Sequence, residues 1–235
     1  MKKLRKFSLS PSTLNIYVNC PRCFWFHMVK GAEFKRPEGP TSTLPRGMDN
    51  LIKIYFDTYR AKCALPPEIE AEVTGQLIEE SLIHRWRNWK TGLQFIDSDG
   101  SRLFGALDEC LVCDGMYIPV DYKTRGYDLK EDSTSYYILQ MSSYNFLLAR
   151  NGYAVSEHAY LVFYIPSKVS DEGLVHFKIE VKKVETFPLD KVHRTFRQAV
   201  ELLSLNEPPP KNNGCKFCNW AQKVAHSQES QLHLF

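Results

Sequence analysis

The stretch Gly105-Ala-Leu-Asp108-Glu-Cys110-Leu-Val-Cys113-Asp114-Gly115-Met-Tyr-Ile-Pro-Val-Asp121-Tyr-Lys123-Thr-Arg125 decides how the chain is read. Two largely apolar runs flank Asp114-Gly115, a dipeptide that tolerates positive φ at both positions and so suits a two-residue hairpin turn. A turn there fixes a register. Cys113 faces Met116, and stepping back along both strands sets Asp108 opposite Asp121. Directly opposed residues have Cβ atoms roughly 4.5–5.5 Å apart, where bare like charges repel. A cation is expected between them. Lys123 lies two residues beyond Asp121, on the same face and opposite the small Ala106. One face of the hairpin thus carries two acids and a lysine.

The 235 residues are enough to bury a substantial core, and one domain is expected. An apolar fraction of 43% and a charged fraction of 24% are ordinary for a globular protein and exclude a disordered chain. A net charge of +3 does not by itself announce a polyanion partner, so basic clusters such as the opening M-K-K-L-R-K have to be weighed locally. No apolar run approaches the roughly 18–20 residues that span a bilayer, and no leader pattern opens the sequence. No membrane partner and a cytoplasmic location are the expectation.

Working outward, Ser10-Pro11 caps a short helix ending near Cys20, and Pro21 restarts the chain into C-P-R-C-F-W-F-H-M-V-K-G, closed by Gly31. Residues 33–42 read as a Pro/Gly-rich loop. From Leu44 to Arg60 the pattern is an amphipathic helix with Leu51, Ile52, Tyr55 and Phe56 inward, and Pro66-Pro67 ends that unit. A helix is expected over 76–89, then strands over 93–96, 102–112 and 116–123, with Asp99-Gly100 a second hairpin turn and a three-stranded meander as the result. A second long helix runs from Ser133 to Arg150, strands follow over 157–165 and 175–184, and Pro188 opens a helix reaching about Leu205. Pro208 to Pro210 extend the chain into G-C-K-F-C-N-W, and residues 221–235 form a polar tail expected to fray.

The acids and the lysine suit phosphodiester chemistry. Mg²⁺ is commonly held by one or two carboxylates, with water and phosphate oxygens completing its shell, and Asp108 and Asp121 supply such a pair. Lys123 can orient the attacking water or stabilise developing negative charge. A solvated hairpin face would carry the same residue types. Gln140 and Tyr144 are four apart and share one helix face, where a half-buried stripe is the alternative. For phosphate contact the candidates are Lys123 to Arg125, Arg85, Arg87, Lys90, Arg194 and Arg197, with Trp86 and Trp89 able to stack bases. A solvated face over core tryptophans explains the same pattern.

Seven cysteines, an odd number, argue against a disulfide framework. Cys20-Pro-Arg-Cys23 and Cys215-Lys-Phe-Cys218 supply four thiols in two C-x-x-C pairs, suited to Zn²⁺ or an iron–sulfur cluster, with buried reduced thiols as the alternative. Such a centre would tie the two ends of the chain together. Cys110 and Cys113 sit three apart on a strand, point to opposite faces and are read as core. Cys63 is read as structural too.

The motifs G-A-L-D, P-V-D-Y-K and Q-M-S-S-Y, with the opening S-P-S-T-L-N-I-Y-V-N-C-P, resemble the RecB-like branch of the PD-(D/E)XK nucleases from about Ser10 to Cys218. The resemblance implies an α/β restriction-endonuclease-like domain, with a central mixed β-sheet flanked by helices, over residues 1–235. Segments 10–31 and 206–220 would form the cysteine cap. It further implies a Mg²⁺- or Mn²⁺-dependent deoxyribonuclease, an exonuclease on single strands or DNA ends in repair, recombination or CRISPR adaptation. A helicase or a CRISPR adaptation protein is the implied partner. Asp108 and Asp121 would bind the metal, Lys123 would act at the catalytic centre, and Gln140 and Tyr144 would line it. A catalytically silent nucleic-acid-binding or partner-docking module of the same fold is the alternative.

Two departures stand out. Many relatives carry an upstream histidine or glutamate on the first long helix, whereas Gly47 is followed here by Met48, Asp49, Asn50 and Leu51, leaving Asp49, Glu79 or Glu80 as substitutes. CRISPR-adaptation and AddB-type relatives hold a [4Fe-4S] cluster with one N-terminal and three C-terminal cysteines. The division here is two and two, which keeps Zn²⁺ in contention beside the cluster.

Overall fold

The Asp114-Gly115 turn forms as the sequence predicts, with φ of +49° and +77°. It joins β5 (Glu109–Cys113) to β6 (Met116–Thr124), with Cys113 opposite Met116 and Glu109 opposite Val120. A computed structural model describes residues 6–34 and 43–232, and β6 lies at the centre of its larger sheet. The opening basic run up to Arg5, and loop residues 35–42, lie outside the described residues.

Five strands form that sheet in the order β2-β5-β6-β7-β8, where β2 is Gln76–Leu77, β7 is His158–Val169 and β8 is Val175–Glu185. β6 and β7 run parallel and every other neighbouring pair is antiparallel, so the sheet is mixed. Parallel neighbours need a crossover, and α6 (Ile138–Arg150) supplies it. Alternation along β7 separates two apolar layers. Ala159, Leu161, Phe163 and Ile165 pack in one layer with Leu139, Met141 and Phe146 of α6 and with Val192, Phe196 and Val200 of α7 (Leu189–Leu203). Tyr160, Val162 and Tyr164 belong to a second layer with Ile52 and Phe56 of α3 (Leu44–Arg60) and Ile69 of α4 (Pro67–Glu70). The result is a helix–sheet–helix sandwich of mixed α/β class.

A smaller sheet has the order β1-β4-β3, from Ser8–Leu9, Arg102–Gly105 and Leu93–Ile96. The expected continuous strand over 102–112 is therefore two strands in two sheets. Residues 106–108 leave the ladder, and the Leu107 N–H bonds the carbonyl of Trp86. Gly105 permits the divergence, because a Cβ there would meet Leu147 Cδ1 at 2.9 Å and Tyr144 Cε1 at 3.2 Å. The three-stranded meander is accordingly replaced by two hairpins, the first turning at Asp99-Gly100, where Gly100 has φ +83°.

Other boundaries move for comparable reasons. The helix expected over 76–89 begins only at Glu80, as α5 (Glu80–Arg87), because Gln76 and Leu77 pair with β5. Leu51 of α3, expected inward, is 63% exposed. The chain before Ile138 makes a 3₁₀ turn over Ser135–Tyr137. α1 (Pro11–Asn19) carries the expected cap, with Ser10 and Thr13 bonding reciprocally, and α2 (Pro21–Trp25) follows it. The tail expected to fray is helical as α8 (Lys216–Leu232), and residues 233–235 lie outside the described residues. No helix among the described residues is long and apolar enough to cross a membrane.

Candidate active site and cysteine centre

Consecutive residues of a strand face opposite sides, and β6 uses both. Asp121 and Lys123 turn toward α6, where Gln140 links them: its Nε2 donates to Asp121 Oδ1 at 3.3 Å, and its Oε1 accepts from Lys123 Nζ at 3.4 Å. Gln140 also donates to the Tyr144 hydroxyl at 2.9 Å, so the four-residue spacing on one helix face does bring these side chains together. Lys123 forms an ion pair with Asp121, and its ammonium lies 4.8 Å from the centre of the Tyr137 ring.

Asp121 is fully buried, and its Oδ2 takes no well-directed hydrogen bond among the described residues. Burial, partly offset by Lys123 and reinforced by Asp108, pushes its carboxyl up to about 7. The repulsion expected between the opposed acids is thus present. The paired ladder stops at Glu109 and Val120, one step short of them.

The cation beside Asp108 comes from a residue that sequence reasoning passed over. Lys53 Nζ of α3 lies 2.7 Å from Asp108 Oδ1 and 2.7 Å from Asp49 Oδ2. Of the three candidate upstream acids, Asp49 therefore joins the group. Glu79 and Glu80 instead border a separate cleft with Arg60 and Ala64. Asp49, Asp108, Tyr122, Lys123 and Arg46 line an opening of about 380 Å³. Asp108 acts directly on Asp121, but the three acids do not all lie within 4.8 Å of one another, a spacing that among the described residues only the four cysteines reach. The fit to a divalent cation rests on two observations. The buried Asp121 Oδ2 takes no well-directed hydrogen bond and has the Lys123 ammonium against it, and the Lys53 ammonium stands between Asp49 and Asp108 where a cation would sit.

On the opposite face of the same strands lies a buried ionic clamp. Glu109 Oε2 accepts from Arg60 Nη2 at 2.5 Å, Arg87 Nη2 at 3.2 Å and the Tyr122 hydroxyl at 3.1 Å, while Asp57 holds both arginines. Glu109 and Tyr122 adjoin Asp108 and Asp121 in sequence, so the clamp fixes the strand segments that carry the acids. Arg60, Asp57, Lys53 and Asp49 recur along one stripe of α3. That polar periodicity inside an apolar helix pattern was the available signal.

The basic and aromatic candidates divide. Arg87 is committed to Asp57 and Glu109 and Arg197 to Asp97 and Asp99, whereas Arg194 pairs with Asp190 one turn away on an exposed helix face and stays open to solvent. Arg85 donates to the Tyr153 hydroxyl. Trp86 is core, 1% exposed against Tyr117 and Tyr153, whereas Trp89 is 56% exposed with Lys90 over its ring.

Cys20, Cys23, Cys215 and Cys218 converge as the paired spacing implies, with all four sulfurs within 4.8 Å of one another. Three of the four residues are buried. Burial pushes the Cys20 thiol up, but the N–H groups of Asn212 and Cys23 and the neighbouring thiols outweigh it and bring it to about 6. Hydrogen bonds from Arg22 to the Pro209 carbonyl, from Asn212 to that of Asn19 and from Trp25 to that of Leu205 bind the same two segments. Cys110 and Cys113 enter different apolar layers, as expected of opposite faces. Cys63 differs from expectation: it is exposed at φ +51°, just past α3.

Among curated proteins none matches this chain. A solved structure titled "Crystal structure of SSO0001" is similar over 87% of this chain and 79% of its own, at 16% identity and a TM-score of 0.41. Residues 62–222, more than half of the chain and the part holding β5, β6 and α6, match the PD-(D/E)XK nuclease superfamily. The chain belongs to the PD-(D/E)XK nuclease superfamily.

Proposed function

We propose that this protein is a Mg²⁺- or Mn²⁺-dependent deoxyribonuclease, acting as an exonuclease on single strands or DNA ends. The observation that supports the proposal is the Gln140 link between Asp121 and Lys123, with Lys123 and Asp108 lining one opening and Lys53 joining Asp49 to Asp108. Asp108 and Asp121, with Asp49 as the upstream acid, would hold the cation. A divalent ion there supplies charge for the scissile phosphate and lowers the pKa of bound water.

The chain's own groups do the rest. Lys123, held by Asp121, Gln140 and the Tyr137 ring, presents an ammonium that orients the water and offsets charge developing on the phosphate. Gln140 keeps Lys123 and Asp121 in fixed relation, and Tyr144 fixes Gln140. Arg46 borders the opening and is suited to a backbone phosphate, and the exposed Tyr136, adjacent to Tyr137, is suited to base stacking, which favours single strands. A helicase or a CRISPR adaptation protein as partner, and repair, recombination or adaptation as setting, belong to the same proposal.

One observation favours a catalytically silent strand-binding module instead. Lys53 neutralises Asp49 and Asp108, and a permanent bridge would exclude metal. Cleavage of labelled single- and double-stranded DNA with Mg²⁺ or Mn²⁺ separates the readings, comparing wild type with Asp121→Ala and Lys123→Ala. Wild type should cut and both variants should lose about 10²-fold or more. Equal cleavage by all three proteins sinks the assigned site, and strand binding without cleavage by wild type favours the silent module.

A further inference from the structure

We infer that Cys20, Cys23, Cys215 and Cys218 hold a single tetrahedral Zn²⁺, and that the four-iron cluster implied by resemblance does not fit them. The spacing decides. Cys20 and Cys218 sulfurs are 3.8 Å apart, Cys23 and Cys215 sulfurs 3.7 Å, and Cys23 and Cys218 sulfurs 3.3 Å, and no pair exceeds 4.8 Å. Four thiolates around one zinc at a Zn–S distance of about 2.3 Å stand about 3.8 Å from each other, the edge of the tetrahedron. A [4Fe-4S] cluster binds each thiolate to a different iron and directs it away from the cluster centre, so its sulfurs stand roughly 6 Å or more apart. The observed sulfurs enclose one atom and leave no space for eight.

The setting agrees with the spacing. Two C-x-x-C pairs from distant segments are a common donor set for one structural zinc. The Cys20 sulfur receives the N–H groups of Asn212 and Cys23, and the Cys218 N–H points to the Cys215 sulfur at 3.5 Å, contacts that stabilise thiolates bound to a metal. Hydrogen bonds to the carbonyls of Pro209, Leu205 and Asn19 also hold residues 19–25 against residues 205–212, independently of the sulfurs. The ion would then close a loop of nearly the whole chain and stabilise the fold without entering the chemistry at Asp108 and Asp121.

The test needs no variant and no nuclease activity. Full-length protein expressed in medium containing both metals and purified without oxygen should be colourless, with about one zinc per chain and neither iron nor acid-labile sulfide. Replacing the zinc with Co²⁺ should give the intense visible bands of tetrahedral thiolate coordination. Brown protein with iron and sulfide in cluster ratio overturns the inference, as does a single iron without zinc, or metal-free protein with oxidised cysteine pairs. Cys218→Ser supplies a second readout. It should retain less than a tenth of the bound zinc and melt at lower temperature, and full zinc retention would contradict the assignment.

Discussion

Arg60→Met is the sharpest probe of what holds the candidate site together. Glu109 has no exposed side-chain surface, Arg60 is 6% exposed, and their charged atoms are 2.5 Å apart. Breaking a buried pair from one side leaves an uncompensated charge and costs about 3–5 kcal/mol. Arg87 at 3.2 Å, the Tyr122 hydroxyl and the Cys110 N–H still face Glu109, which puts the loss near the lower bound, about 3 kcal/mol. For a chain of this size that corresponds to a melting temperature lower by about 6–12 °C. Urea denaturation followed by circular dichroism and tryptophan fluorescence measures it.

The pH dependence adds a second signature. Burial is the largest influence on Glu109 and pushes its carboxyl up against the pull of Arg60. A raised carboxyl contributes stability that is full below its unfolded value of about 4.3 and is lost as pH rises through the folded value. Removing Arg60 raises that folded value further, so the deficit of the variant should grow as pH rises above the unfolded value of about 4.3. The double variant Arg60→Met/Glu109→Gln should lose less than the sum of its parts. A loss under about 0.5 kcal/mol for Arg60→Met, constant with pH, would refute a charged clamp and mean that Glu109 folds protonated.

Three further outcomes are expected. Lys53→Met should tighten Mn²⁺ binding about 5–30-fold by calorimetry, because two partly buried ion pairs worth about 1–2 kcal/mol together no longer compete for Asp49 and Asp108; unchanged or weaker binding would count against the cation site. Trp86→Ala should cost about 3–5 kcal/mol in denaturant titrations and Trp89→Ala under about 0.5 kcal/mol, since only Trp86 lies in the core. Burial pushes the Asp97 carboxyl up, but the Ser98 N–H, His193 and Arg197 outweigh it and hold the group low. Its contribution is therefore present above the unfolded value of about 3.9 and lost as pH falls through the folded value, so the urea midpoint of Asp97→Asn should fall less steeply in acid than that of wild type.

What the sequence by itself determined about this protein was local. Asp114-Gly115 set the hairpin and its register because only a few dipeptides accept positive φ twice, and that register carries Asp108 and Asp121 to the end of the ladder, one step past its last pair. Gln140 and Tyr144 were paired by helical spacing, and each C-x-x-C was a ready half of a metal site. The tertiary structure alone decided the rest. An alternating run such as 102–112 looks the same whether it stays in one sheet or divides between two, and the division depends on how closely α6 packs on Gly105. Nothing within a few residues of Asp108 announces Lys53, and nothing beside Glu109 announces Arg60, because those partners sit on α3 and meet the strands only when the helix docks. Charge neutralisation is a property of distance in space, and sequence separations of about fifty residues carry no record of it.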